Sequence, residues 1–440
     1  MKRLLFFLLV IPFCLHAQEE VYDLRKCLET GLQYNYDIKI VRNNQQISDN
    51  NVTPGNAGYL PVINLSSDYT GALNNIYRQY DANGTPLANA NNTLNQSFNA
   101  GVYLTWTVFN GFTVHTNYQR LKELQQMGEL NTRIEIDNFI ASLSAEYYNY
   151  IRQSTRLENL RYAVRLSKER LRIAEERYGI GSVSRMDMQQ AKVDFNADSS
   201  RLVRQKEVLY ASRIELNRLM GIGEIEMPVI TADTSIEINV LFTNKEERWQ
   251  DVLVRNPFLL LSEREIFLSQ LDLRTLQSVN YPYLRLNAGY GYTHARNQAG
   301  VYRKQNTLGL TYGATLGFTL FDGMNRTRQQ RNAKIEIENQ KLAYDNIILN
   351  LKSEFSNIWM AYQNNMGLLG LEEENVKTAE ENYEIALERY KLGDLSGIEL
   401  REAQNSLLEA EERLDQARYD IKLCELSLMQ IEGRITDLLE

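Results

Sequence analysis

The chain is predicted to be a mixed α and β membrane protein built from two copies of one unit, each a β-hairpin followed by long helices. Three observations predict this: an internal repeat, a change of hydrophobic period inside each copy, and strands of membrane-spanning length in a chain that begins like an exported one. The repeat organises the rest. Leu104-Thr-Trp-Thr-Val-Phe109-Asn-Gly111 returns as Leu316-Gly-Phe-Thr-Leu-Phe321-Asp-Gly323, 212 positions later. Glu176-Arg-Tyr178-Gly-Ile-Gly181 returns as Glu388-Arg-Tyr390-Lys-Leu-Gly393 at the same shift, and Gly221 meets Gly433. Upstream, Asn35 pairs with Asn256 and Pro61 with Pro282 at a shift of 221, so the first copy carries nine extra residues. The polar run Asn74 to Gln96 is where they are expected.

Within each copy the period is first that of a strand. Ile63, Leu65 and Tyr69 alternate with polar residues, as do Phe98, Ala100, Val102, Leu104, Trp106 and Val108. In the second copy Leu284, Leu286, Ala288, Tyr290 and Tyr292 share one face, and Leu308 to Leu320 alternate with Gly and Thr. These strands are about ten residues or more, the length a tilted membrane strand needs. Aromatics gather near their ends (Tyr59, Tyr69, Trp106, Phe109, Tyr292, Phe318, Phe321), as the membrane interface selects. A soluble sandwich would also alternate, but it would not explain that placement. Four strands cannot close a barrel, since known membrane barrels have about eight or more. An unclosed sheet in lipid leaves edge hydrogen bonds unmade, so the chain must oligomerise.

Gly111 and Gly323 then punctuate a switch to helix. No proline falls between Gly111 and Tyr178, and apolar residues recur every three or four positions. Sixty-odd residues at 1.5 Å each give about 100 Å of helix, which needs partner helices along its length. The expected organisation is a signal peptide over residues 1–17 and a first repeat over 18–221. That repeat holds a helix, a hairpin at about 59–109, a long helix at 111–178 and a return helix at 184–221. A connector follows over 222–244. The second repeat covers 245–440, with its hairpin at about 282–321, long helix at 323–390 and return helix at 396–433. Helices from about Tyr22 to Asn56 and Lys245 to Ser278 lead into the hairpins.

The leader reading rests on Met1-Lys2-Arg3, an apolar run of about a dozen residues, and Ala17 at the cleavage position. The mature chain is then expected to start near Gln18, outside the cytoplasm. The formal charge of −8 gives no reason to expect nucleic-acid binding. Of the cysteines, Cys27 and Cys424 remain after processing, and two unpaired thiols are expected rather than a disulfide. His115 and His294 are isolated in sequence, so neither a histidine metal cluster nor a catalytic triad can be assembled. No enzyme, cofactor or metal site is expected.

The order and doubling of these motifs resemble the TolC outer-membrane efflux family. The matching residues are Leu28 to Leu32 with Asn35, Leu60-Pro61, Phe109-Asn-Gly111, and Arg177-Tyr178 with Gly181. In the second copy they are Asn256-Pro257, Pro282-Tyr-Leu284, Phe321-Asp-Gly323, Arg389-Tyr390 with Gly393, and Glu402-Ala403. The resemblance implies a homotrimer whose twelve strands form one barrel in the outer membrane. It also implies a helical tunnel in the periplasm and docking to an adaptor protein and an inner-membrane pump. It places adaptor-docking tips at Ile180, Gly181 and Ser182 and at Leu392, Gly393 and Asp394; Asp394 departs from the small or apolar residue the family favours there. It places an acidic constriction at Glu399 and Glu402, with Asp187 as the first-copy counterpart. The arginine that latches some members aligns with Leu395, so Arg185 or Arg401 would have to substitute. The implied activity is a passive duct for small molecules such as drugs, toxic compounds or metal ions. A type I protein secretion duct and a trimeric surface adhesin are the alternatives.

Overall fold

The computed structural model describes residues 21–439, apart from 78, 81, 82, 88, 89, 239–241 and 299–301. The expected signal peptide lies outside the described residues. The chain divides into two compact units. One comprises residues 43–131 and 260–346, and the other holds the rest.

The first unit carries the sheet. Strands β2 (Val62–Ile76), β5 (Ala90–Asn110), β7 (Tyr283–Asn297) and β8 (Lys304–Gly317) are hydrogen-bonded in the order β2-β5-β7-β8, every pair antiparallel. The two copies therefore pair with each other through β5 and β7, leaving β2 and β8 as open edges. Between β2 and β5 runs a short ribbon, β3 (Gln79–Tyr80) with β4 (Pro86–Leu87). That ribbon falls inside the stretch expected to hold the extra residues. Strand β8 stops at Gly317, earlier than the alternation suggests, and Phe318, Leu320 and Phe321 follow it exposed outside any strand. Its one partner strand, β7, begins at Tyr283, which pairs with Gly317, so the residues beyond have no strand beside them to hold them extended.

Each strand-to-helix switch is made by two successive left-handed residues, Gly111-Phe112 and Gly323-Met324. A bulky residue at positive φ is uncommon, and around Phe112 an edge-to-face aromatic set with Phe109 and Tyr281 packs the turn. The long helices follow as α4 (Thr113–Gly179) and α8 (Asn325–Leu392).

In the second unit, α4 and α8 turn back into α5 (Arg185–Met220) and α9 (Gly397–Ile431). The expected leading helices are each broken: α1 (Leu24–Tyr34) and α2 (Tyr36–Asn51), with a short α3 (Pro54–Ala57), then α6 (Lys245–Arg255) and α7 (Pro257–Ser278). The breaks fall at Asn35 and Asn256, and one device makes both. Asn35 Oδ1 accepts from the N–H groups of Asp37 and Ile38, at 2.8 and 3.3 Å, while Nδ2 donates to the Leu219 carbonyl at 3.0 Å. Asn256 accepts from Phe258 and Leu259 and donates to Ile431 at 2.8 Å. One side chain thus caps a new helix and grips the end of the return helix. Both asparagines are buried.

The segment after Gly221 contributes strand β6 (Ile230–Thr231), which pairs in parallel with β1 (Val21–Tyr22). Val229 and Ile236 join Cys27, Leu28, Leu143, Tyr147, Leu216 and Met220 in a continuous core. Tyr147 donates to Asp233 at 2.8 Å and Tyr150 to the Val229 carbonyl at 2.9 Å. These two tyrosines serve as core residues whose polar ends are satisfied at its margin. Cys27 and Cys424 are both free, and burial, then Asp23, pushes the Cys27 thiol up to about 12.

Asp137 on α4 is the misfit of this core. Its side chain is buried, neither carboxylate oxygen has a hydrogen-bond partner, and the nearest cation, Arg133, stands 3.9 Å away. Burial, only partly offset by Arg133, pushes the carboxyl up to about 6. A carboxyl raised on folding keeps its proton longer in the folded chain than in the unfolded one. Stability is therefore expected to fall as pH rises from the ordinary aspartate range to about 6, and then to level off. Asp137→Asn is expected to flatten that slope and to stabilise the helical unit near neutral pH by on the order of 1–2 kcal/mol. Thermal unfolding followed by circular dichroism between pH 4 and 8 measures both; a variant as pH-sensitive as the parent refutes the assignment.

Candidate channel surfaces, tips and gate

The sheet register turns four separate alternations into one surface. Leu65 pairs with Val102, Val102 with Tyr290, and Tyr290 with Leu310. A second row runs Ile63, Leu104, Ala288 and Tyr312. These side chains lie largely open: Leu65 is 80% exposed, Leu310 65% and Tyr312 85%. An apolar band crossing every strand of a sheet, uncovered by any other described residue of the chain, is suited to lipid. The neighbouring row, Ser66, Gly101, Gly291 and Gly309, is small and polar. No helix among the described residues is long and apolar enough to cross a membrane.

At the turns, Ile180, Gly181 and Ser182 are exposed, as are Leu392, Gly393 and Asp394. Gly181 and Gly393 have φ of +76° and +96°, closing each helix with a left-handed residue. Ile180 is 82% exposed and Leu392 78%, so each tip presents one bare apolar side chain. Arg177 ties the tip region together: its Nη2 donates to the Tyr390 carbonyl at 2.7 Å and its guanidinium lies 4.9 Å from the Tyr390 ring centre.

The three acidic residues are at the starts of the return helices. Glu399 and Asp187 are both third residues of capping boxes. The Ser396 N–H and Oγ donate to Glu399 at 2.9 and 2.7 Å, and Ser184 treats Asp187 likewise. The Ser396 hydrogen bonds hold the Glu399 carboxyl below its ordinary value, so it is charged at neutral pH. Glu402 is exposed one turn further along. Both Glu399 and Asp187 therefore have a local structural job besides any role in a pore.

Of the two arginines considered as latches, Arg401 is already engaged. It makes a two-pronged pair with Asp198, at 2.5 and 2.7 Å, and Asp198 is only 1% exposed. Beside it Arg170, also buried, pairs with Asp194 at 2.6 Å. This cluster joins α4, α5 and α9, and motif reading missed it. A signal was present: the positions 212 beyond Arg170, Asp194 and Asp198 hold Asn382, Ser406 and Ala410, so the repeat loses all three charges there. Further along the same helices a cleft of about 720 Å³ is lined by Arg152, Arg156, Arg204, Glu412 and Asp415, among others. Its mixed charges carry no catalytic pattern. Among the described residues no group of His, Cys, Asp and Glu is placed to hold a metal ion.

A duplicated subunit with a lipid-suited sheet of two open edges and paired helical hairpins defines an outer-membrane channel protein. The chain belongs to the outer membrane efflux protein family, which it matches over residues 28–222 and 249–434. It is similar to nodulation protein T of Rhizobium leguminosarum bv. trifolii, 21% identical over 86% of this chain and 79% of that one. It is also similar to the outer membrane protein TolC of Escherichia coli, 20% identical over 86% of this chain and 75% of that one. Among solved structures, the Campylobacter jejuni CmeC outer membrane channel superposes with a TM-score of 0.75 at 16% identity, covering 93% of this chain and 85% of that one. The Vibrio cholerae outer membrane protein VceC gives 0.72 at 16%, covering 93% and 96%. The chain is thus an efflux channel of the outer membrane and not an enzyme.

Proposed function

We propose that three copies of the chain, each maturing near Gln18, form the outer-membrane duct of a tripartite export system. The repeats over 18–221 and 245–440 each supply one hairpin to a twelve-stranded barrel and one helical hairpin to a periplasmic tunnel. The observation that carries this reading is the exposed apolar band across a sheet whose edges, β2 and β8, have no partner strand among the described residues. In lipid those edges cost several kcal/mol per unmade hydrogen bond unless another copy covers them. Transport is passive: an inner-membrane pump supplies the energy and an adaptor joins it to the tips at Ile180-Gly181-Ser182 and Leu392-Gly393-Asp394. The cargo class is small molecules, the pump making the choice. Membrane fractionation tests it. An oligomer in the outer-membrane fraction that becomes monomer on heating, and that conducts ions in planar bilayers, is expected; a soluble monomer refutes it.

Glu399 and Glu402 are proposed as the carboxylates of the constriction, with Asp187 near them. A spacing of three places both on one helix face, and symmetry turns each into a ring that favours cations. Glu402→Gln is the cleaner variant because Glu399 also caps its helix. Single-channel recordings are expected to show reduced cation preference and weaker block by divalent ions in Glu402→Gln, and more so in Glu399→Gln with Glu402→Gln. Unchanged selectivity and block in both would remove the gate assignment.

A further inference from the structure

The internal repeat carries one of its helix contacts made and the equivalent contact unmade. Within the chain, Arg177 of α4 donates to the carbonyls of Tyr390, at 2.7 Å, and Lys391, at 3.2 Å. One turn earlier Ile173 packs on the cluster formed by Tyr383, Tyr390, Leu400 and Leu407. Tyr390 is left 5% exposed. These contacts run from the first copy's long helix onto the second copy's hairpin. An arginine at a helix C-terminus satisfies orphan carbonyls and the dipole together, and the ring beneath it adds a cation–π contact.

The same residue types recur 212 positions away. Ile385 corresponds to Ile173 and Arg389 to Arg177, while Tyr178, Gly179 and Phe195 correspond to Tyr390, Lys391 and Leu407. Here the contact is absent. Ile385 is 59% exposed and Tyr178 42%, and the Arg389 guanidinium makes no hydrogen bond or ion pair with any described residue. Its charge is felt by Glu399 of its own chain, beyond ion-pair range.

We propose that Arg389 and Ile385 of one subunit seat on Tyr178, Gly179 and Phe195 of the next, repeating between subunits the contact that Arg177 and Ile173 make within one. The occupant is a second copy of this chain because only it presents the matching end of a first-copy helix. Such a contact is head-to-tail, and a head-to-tail contact that closes makes a ring. The ring would then alternate clamps within and between subunits around its helical end. This inference rests on the assembly proposed above and adds the residues that join it there.

Full-length protein with Cys27→Ala and Cys424→Ala provides a thiol-free background for the test. Gly179→Cys with Arg389→Cys, treated in outer membranes with a short bismaleimide and then denatured, is expected to give a ladder of covalent oligomers. Arg177→Cys with Lys391→Cys is expected to link within a chain and leave monomers. The Gly179 position is open, with nothing within 4 Å of an added Cβ. Heat-dissociable oligomer without the ladder overturns the clamp and leaves the channel reading intact. Absence of oligomer in the thiol-free parent overturns the assembly itself. As a second measure, Arg389→Ala is expected to dissociate at a lower temperature than the parent, with Arg389→Lys between them; identical dissociation in all three overturns the proposal.

Discussion

Gly111→Ala is expected to remove most of the assembled protein from the outer membrane, whereas Gly323→Ala is expected to leave most of it. The two glycines occupy equivalent places in the repeat and share a left-handed backbone, with φ of +66° and +70°. An alanine at either costs roughly 1–2 kcal/mol for that conformation. The surroundings then separate them. A Cβ at Gly111 would sit 2.1 Å from the Ser278 carbonyl oxygen and 2.9 Å from the Tyr281 Cβ. Both belong to the chain that enters the second hairpin, so relief requires moving main chain rather than a flexible side chain. At Gly323 the nearest atom is Asn325 Nδ2, at 3.7 Å. Gel quantification of the heat-dissociable oligomer in membranes measures the difference, and equal losses would contradict it.

Gly181→Trp and Gly393→Trp are expected to abolish export while the oligomer keeps its parental amount. A Cβ on Gly181 meets nothing within 4 Å, and one on Gly393 meets only the end of the Arg177 side chain, at 3.9 Å. An indole at either tip therefore projects into solvent without a clash, at roughly 1–2 kcal/mol for the left-handed backbone. It stands instead beside Ile180 or Leu392, the bare apolar groups proposed to meet the adaptor. Backbone strain is separated from surface loss by Gly181→Asn and Gly393→Asn, since asparagine tolerates the left-handed region and is small. Those variants are expected to retain export. Minimum inhibitory concentrations, read beside oligomer quantification, check the pair; full export through a tryptophan tip would dismiss it as a docking surface.

The repeat and the period of its apolar residues were legible in sequence because both are one-dimensional signals. The alternation of Leu284 to Tyr292 needs no partner to be read, and the structure places it within β7. The end of β8 was not legible, because what stops the strand at Gly317 is the register that sets it opposite Tyr283, where its partner β7 begins, and sequence does not display register. The helix breaks were half legible. Asn256 precedes Pro257, a residue suited to the first turn of a new helix, but Asn35 precedes Tyr36 and carries no such mark. The capping boxes were written plainly as Ser184 with Asp187 and Ser396 with Glu399, and reading those acids only as pore residues missed their local work. The Arg170, Asp194, Asp198 and Arg401 cluster depends on three helices meeting, and only the broken repeat symmetry hinted at it.

The pairing of Val21–Tyr22 with Ile230–Thr231 sets an order of events for a chain that is synthesised N-terminus first. The opening strand has no partner until the junction between the copies has been made. Until then Leu28 and Leu143 lack Val229 and Ile236, which complete their core, and contacts so distant in sequence form slowly. The same core also takes in Ile435 from the end of the second copy, so the first copy is held incomplete while the second is arriving. A nascent first copy has little opportunity to lock into a wrong partnership before its twin is present.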